Sequence, residues 1–71
     1  MTQSLRINGV ERDFCPGQLP KTLSELLEQV NIAEATVVAE INGQIIERKN
    51  FTDTQLAPGQ SIELIRFVGG G

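Results

Sequence analysis

Cys15 is the one side chain able to do thiol chemistry, because the sequence contains a single cysteine. A nucleophilic cysteine normally works beside a base, most often a histidine, and the sequence has no histidine. We therefore expect Cys15 to be a small, buried, unreactive side chain at the end of a strand. A metal site is not expected, since histidine is absent and the carboxylates are not clustered. The sequence predicts no catalytic residue.

The last residues, IRFVGGG, are the second place where chemistry could occur. Gly69, Gly70 and Gly71 have no side chains, so their backbone can pass through a channel that would exclude larger residues. The four residues after Phe67 reach at most about 13–14 Å when extended. We expect a domain over residues 1–67 that presents a flexible tail, residues 68–71, to another protein.

Composition limits the classes of partner. The 71 residues are enough for one small domain. Six basic and nine acidic residues give a net charge of −3, which argues against nucleic acid and anionic membranes as partners and favours a basic protein. The sequence has neither an apolar run that could span a bilayer nor the pattern of a signal peptide. Because a lone cysteine cannot form an internal disulfide, we expect a cytoplasmic protein.

The first half of the sequence predicts a hairpin and then a helix. Asn8-Gly9 lies between alternating apolar residues, which predicts strands near residues 3–8 and 10–15, with Phe14 facing the core. An apolar stripe at helical spacing follows, with a capping box before it and a stop after it. The stripe is Leu23, Leu26, Leu27 and Val30, the capping pair is Thr22 and Glu25, and the stop is Asn31. This pattern predicts a helix of about three turns.

The second half predicts three more strands. β-Branched residues over 36–42 lead into a second hairpin signal at Asn42-Gly43. The irregular segment that follows is expected to be anchored by Phe51 and Leu56. After a turn at residues 57–60, the last strand is predicted over residues 61–68.

Side chains of the last strand alternate between two faces. Ile62 and Leu64 are expected to face the core, whereas Glu63, Ile65 and Phe67 lie on the other face. Bulky apolar residues on both faces suit a central strand, or a strand whose outer face binds a partner. Glu40 would lie beside this outer face if the third strand pairs with the fifth. The expected partner-binding patch is Ile65, Phe67, Val68 and Glu40.

One helix and about five strands predict an α+β domain in which the helix covers one face of a mixed sheet. The first and last strands are then parallel neighbours.

This arrangement resembles the β-grasp, ubiquitin-like fold, and the sequence is similar to the bacterial sulfur carriers of thiamine (thiazole) biosynthesis. The similarity covers about residues 5–71 and lies in the stretches VVAEINGQIIER, LAPGQSIELIRF and VGGG. The matching positions are Asn42, Arg48, Gly59, Ile62, Glu63, Phe67, Val68 and the final glycines. The acidic turn of that family is replaced here by Pro58-Gly59-Gln60.

The resemblance implies a chemistry for the carboxyl group of Gly71. A carboxylate is a poor electrophile, so an ATP-dependent adenylating enzyme would first activate it. A persulfide donor such as a cysteine desulfurase would then supply the sulfur, which leaves a thiocarboxylate for a thiazole synthase to use. The chain itself would be a carrier and not an enzyme. It would bind no cofactor, since ATP is used by the adenylating enzyme.

Other functions fit the same features. A molybdopterin sulfur carrier would have the same fold and the same tail, although those chains are usually longer. A ubiquitin-like protein modifier would instead be joined through Gly71 to lysine side chains. A purely non-covalent interaction module would not need Gly70 and Gly71 at all.

Overall fold

The computed structural model describes residues 2–66, so Phe67, Val68 and the glycines at 69–71 lie outside the described residues. The predicted division between a domain and a flexible tail therefore stays a prediction. The described elements are β1 (Gln3–Ile7), β2 (Val10–Phe14), α1 (Leu23–Gln29), β3 (Val37–Ile41), β4 (Gln44–Ile46) and β5 (Ser61–Arg66), with short 3₁₀ helices at Glu34–Thr36 and Arg48–Asn50.

The strands form one five-stranded mixed sheet in the order β2-β1-β5-β3-β4. β1 and β5 are parallel, whereas the β1–β2, β3–β4 and β3–β5 pairs are antiparallel. The parallel pairing of the first and last strands is thus confirmed, as is the pairing of the third strand with the fifth. β5 is the central strand, which agrees with the apolar residues on both of its faces.

The core lies between α1 and one face of the sheet. Leu23, Leu26 and Leu27 on the helix are at most 1% exposed, and they pack with Leu5 and Ile62 from the sheet. The irregular segment before β5 contributes two more buried side chains, Phe51 and Leu56, which confirms both predicted anchors. Phe14 is half-buried and packs against this cluster from the end of β2.

The helix is shorter than the sequence pattern predicted. Thr22 and Glu25 form the expected capping box, in which each side chain accepts a hydrogen bond from the other residue's backbone N–H. At the other end Asn31 adopts a left-handed conformation with φ of 61°. The N–H groups of Asn31 and Ile32 donate to the carbonyl groups of Glu28 and Leu27, which closes the helix after Gln29.

The helix α1 therefore has seven residues, or about two turns, and the prediction of three turns was wrong. Val30, the last residue of the predicted stripe, is the C-cap and is half-buried against the core. Within residues 2–66, no helix has the length and the apolar character needed to cross a membrane.

Cys15 is exposed, which corrects the expectation that it is a buried apolar side chain. β2 is an edge strand and ends at Phe14, so Cys15 already belongs to the turn that leaves the sheet. Its carbonyl group accepts a hydrogen bond of 2.8 Å from the N–H of Gln18. Gly17 supplies the positive φ that this turn requires.

Candidate docking face

The central strand is held at its start by the two hairpin turns. Asn42 donates its N–H to the carbonyl of Ser61, and its Oδ1 accepts a bond of 3.0 Å from the N–H of the same residue. On the other side of β5, Asn8 donates its N–H to the carbonyl of Ile62 and accepts from the N–H of Leu64 at 2.7 Å. The strand that leads to the C-terminal residues is therefore fixed to both of its neighbours.

The two faces of β5 differ in exposure. Ile62 and Leu64 are buried against the helix layer, at 0% and 5% exposure. Glu63 and Ile65 point to the opposite face of the sheet and are exposed. Among residues 2–66 no helix covers that face, so it is accessible to another molecule.

β3 supplies the rest of this open face. Its register with β5 places Val38 directly opposite Ile65 and Glu40 directly opposite Glu63. On the other side of β3, Ile45 of β4 lies opposite Glu40. Val38, Ile45 and Ile65 are 37%, 66% and 51% exposed, although all three are large apolar side chains. We call the five residues Val38, Glu40, Ile45, Glu63 and Ile65 the docking face.

The predicted partner-binding patch stays a prediction. The structure places Glu40 opposite Glu63, in the pair that neighbours Val38 and Ile65 on the same face, whereas Phe67 and Val68 lie outside the described residues. Sequence reasoning missed Val38 and Ile45 as members of the same surface. The sequence does contain a signal for Val38. Val37, Ala39 and Ile41 are the buried residues of β3, and side chains alternate along a strand, so Val38 lies on the opposite face.

The docking face is acidic as well as apolar. Glu63 is exposed and Glu40 is half-buried, and neither carboxylate makes an ion pair with residues 2–66. The one ion pair found among those residues joins Lys49 and Glu47 at 3.3 Å, and both side chains are largely exposed. Arg66 is exposed at the end of β5, opposite Val37.

The described part of the chain offers no other site with evident chemistry. No group of three thiol or carboxylate side chains within residues 2–66 is placed to hold a metal ion. The predicted tail residues Gly69, Gly70 and Gly71 lie outside the described range.

Comparisons with known proteins agree on one family. The model of the ThiS family matches residues 5–71. A sulfur carrier protein ThiS from Bacillus subtilis is 32% identical over 50 residues, which are 70% of this chain and 76% of that protein. A crystal structure of a thiamine biosynthesis protein (ThiS) from Geobacter metallireducens superposes with a TM-score of 0.77 at 33% identity, covering 96% of this chain and 99% of that one.

A longer relative contains a similar segment. A thiazole synthase from Paramagnetospirillum magneticum is 30% identical to this chain over 67 residues. The match takes in 94% of this chain but 20% of that synthase, so the chain spans about one fifth of the length of this relative.

Proposed function

Because the chain belongs to the ThiS family of sulfur carriers in thiamine biosynthesis and has their β-grasp fold, we propose that its terminal glycine carries the sulfur. In this proposal the carboxyl group of Gly71 is adenylated and then converted to a thiocarboxylate. The thiocarboxylate donates its sulfur to the thiazole ring. The supporting observation is that the family match runs through residue 71 and so includes the three glycines.

The proposed chemistry begins with activation of a poor electrophile. An oxygen of the Gly71 carboxylate attacks the α-phosphorus of ATP, which releases pyrophosphate and leaves an acyl adenylate. The outer sulfur of the donor's persulfide then attacks the carbonyl carbon and displaces AMP, which leaves an acyl disulfide between Gly71 and the donor cysteine. A second thiol attacks the donor's sulfur in this S–S bond and forms a disulfide with it, which releases the thiocarboxylate. The product is a soft sulfur nucleophile on a peptide end without side chains, which suits transfer inside a narrow site of another enzyme.

We assign the catalytic steps to partner enzymes, so that the chain is a co-substrate. An adenylating enzyme would bind the ATP, and a cysteine desulfurase or another persulfide donor would supply the sulfur. A thiazole synthase would consume it. The thiazole synthase relative supports that last partner, because one segment of its polypeptide is similar to this chain.

The docking face would be the surface through which these enzymes hold the carrier. A tail of glycines offers little to recognise, so affinity must come from the domain. Ile65 and Val38 present apolar side chains at the end of β5 nearest the tail, and Glu40 lies beside them. Phe67 and Val68 would extend this surface. We also propose a cytoplasmic location, since the exposed free thiol of Cys15 suits a reducing compartment.

Mass spectrometry of the intact chain tests the proposal. The chain is incubated with the thiamine-pathway adenylating enzyme, ATP and a persulfide donor, and we expect one oxygen to be replaced by sulfur. A control without ATP should stay unmodified. Removal of Gly70 and Gly71 should abolish the exchange while the far-UV circular dichroism stays the same. Conjugates to lysine side chains with no sulfur gain would instead identify a protein modifier.

The pathway is tested by the acceptor. The thiocarboxylate form should support thiazole formation by a thiazole synthase, with loss of the sulfur from the carrier. Sulfur transfer only to a molybdopterin synthase would contradict the thiazole assignment and support the alternative carrier function.

A further inference from the structure

Two glutamates occupy directly opposite positions on the docking face. The antiparallel register of β3 and β5 pairs Glu40 with Glu63. Like charges at directly opposite positions of an antiparallel pair destabilise the sheet. The pair is thus unfavourable for folding of the free domain, and its presence calls for another explanation.

The described part of the chain does not neutralise this pair. Among the described strands, β1 places a cationic residue on the same face, Arg6, which lies opposite Ser61 of β5 and Glu11 of β2. Arg6 makes no ion pair with either glutamate within residues 2–66. The two carboxylates are therefore left to solvent or to a partner.

Apolar side chains flank the two carboxylates. Val38 and Ile65 form the neighbouring cross-strand pair, and Ile45 lies opposite Glu40 on the other side. A guanidinium group has several donors in a planar fork, is weakly hydrated, and is carried on an apolar stem. An arginine could thus contact both carboxylates while its stem lies on the apolar side chains.

We propose that the docking face binds an arginine of the partner enzyme, with its guanidinium group between Glu40 and Glu63 and its stem against Val38 and Ile65. The identity of the partner as the adenylating enzyme rests on the proposed function. The net charge of −3 favours such a basic surface during the encounter as well. Binding relieves the repulsion between the carboxylates, so the same pair that weakens the free fold strengthens the complex.

Charge-neutral variants of the full chain test this inference. Glu40→Gln, Glu63→Gln and the double variant keep the shape of the side chain and remove the charge. Glu28→Gln is the matched control, because Glu28 is an exposed residue of α1 on the helix side of the sheet. The measurements are the Kd for the adenylating enzyme at low and high salt and the Tm of each free variant.

We expect each single variant to raise the Kd about tenfold at low salt. A change of this size is in the range expected when one member of a charge pair at an interface is neutralised. The loss should shrink at high salt, and the Tm should stay equal to that of the wild type or rise. Glu28→Gln should change neither value. An unchanged Kd in the double variant, or a lower Tm together with an unchanged Kd, would overturn the inference.

The experiment separates this inference from the proposed function. If the wild-type chain gains sulfur and the double variant gains it with the same KM, the proposed arginine contact is wrong and the carrier function is supported. If the wild-type chain binds the adenylating enzyme through Glu40 and Glu63 but never gains sulfur, the arginine contact is supported and the carrier function is wrong.

Discussion

The side chain of Asn8 completes the hydrogen bonding of Leu64, which lies 56 residues further along the chain. The N–H of Leu64 donates to Oδ1 of Asn8 at 2.7 Å, in a partly buried position. β1 has already ended at Ile7, so its backbone cannot supply this acceptor. The asparagine thus does two things at once: it forms the hairpin turn with φ of 52° and it extends the parallel pairing of β1 with β5.

Replacement of Asn8 separates these two contributions. Asn8→Gly keeps the left-handed turn but removes the acceptor, and we expect a loss of about 1–3 kcal/mol because the N–H of Leu64 is left unsatisfied. Asn8→Asp keeps an acceptor oxygen and tolerates the same conformation, so its loss should be much smaller. Urea denaturation measures both. Equal losses in the two variants would mean that the hydrogen bond contributes little.

Asn42 is an internal control for this effect. Its φ of 51° and its Asn-Gly sequence match those of the first turn, and its Oδ1 accepts from the N–H of Ser61 at 3.0 Å. This bond is exposed, so water can replace the lost acceptor. We expect Asn42→Gly to cost less than about 1 kcal/mol. A loss as large as that of Asn8→Gly, in the same urea titration, would argue against burial as the cause.

The capping box predicts a local effect on the helix. Oγ1 of Thr22 accepts from the N–H of Glu25 at 3.2 Å, and Oε2 of Glu25 accepts from the N–H of Thr22 at 3.1 Å. Thr22→Ala should lower the free energy of unfolding by about 1 kcal/mol. A double-mutant cycle with Glu25→Ala should give less than the sum of the two single losses, since each variant breaks one half of the same motif. Strict additivity would show that the two halves act independently.

Local signals in the sequence were enough to predict most of the elements. These signals are the two Asn-Gly turns, the leucine stripe and the capping box. Each depends on residues that are only a few positions apart in the sequence. The length of the helix was predicted wrongly, because Val30 continues the apolar period although it is the C-cap. The left-handed conformation of Asn31 and two backbone hydrogen bonds decide where the helix stops. The spacing of apolar side chains along the sequence contains no information about those backbone hydrogen bonds.

The docking face depended on pairing that no local pattern contains. Glu40 and Glu63 face each other through the register of β3 with β5, which joins residues far apart in the sequence. Ile45 could not be assigned to this surface, because Ile45 and Ile46 are adjacent apolar residues and either could face the core. The exposure of Cys15 was missed for a related reason, since an edge strand and its outgoing turn bury little.

The last prediction distinguishes a residue that holds the fold from one that binds a partner. Phe51 is 1% exposed and anchors the segment before β5, so Phe51→Ala should cost about 3–5 kcal/mol.

Ile65 is 51% exposed and faces Val38. Ile65→Ala should cost about 1 kcal/mol or less, the range of a cross-strand pair. The same variant should raise the KM for adenylation with little change in kcat, because the apolar contact is made equally in the ground state and the transition state. Thermal unfolding and steady-state adenylation kinetics of both variants check this. A large stability loss in Ile65→Ala with normal KM would mean that Ile65 belongs to the core and that partners bind elsewhere on the carrier.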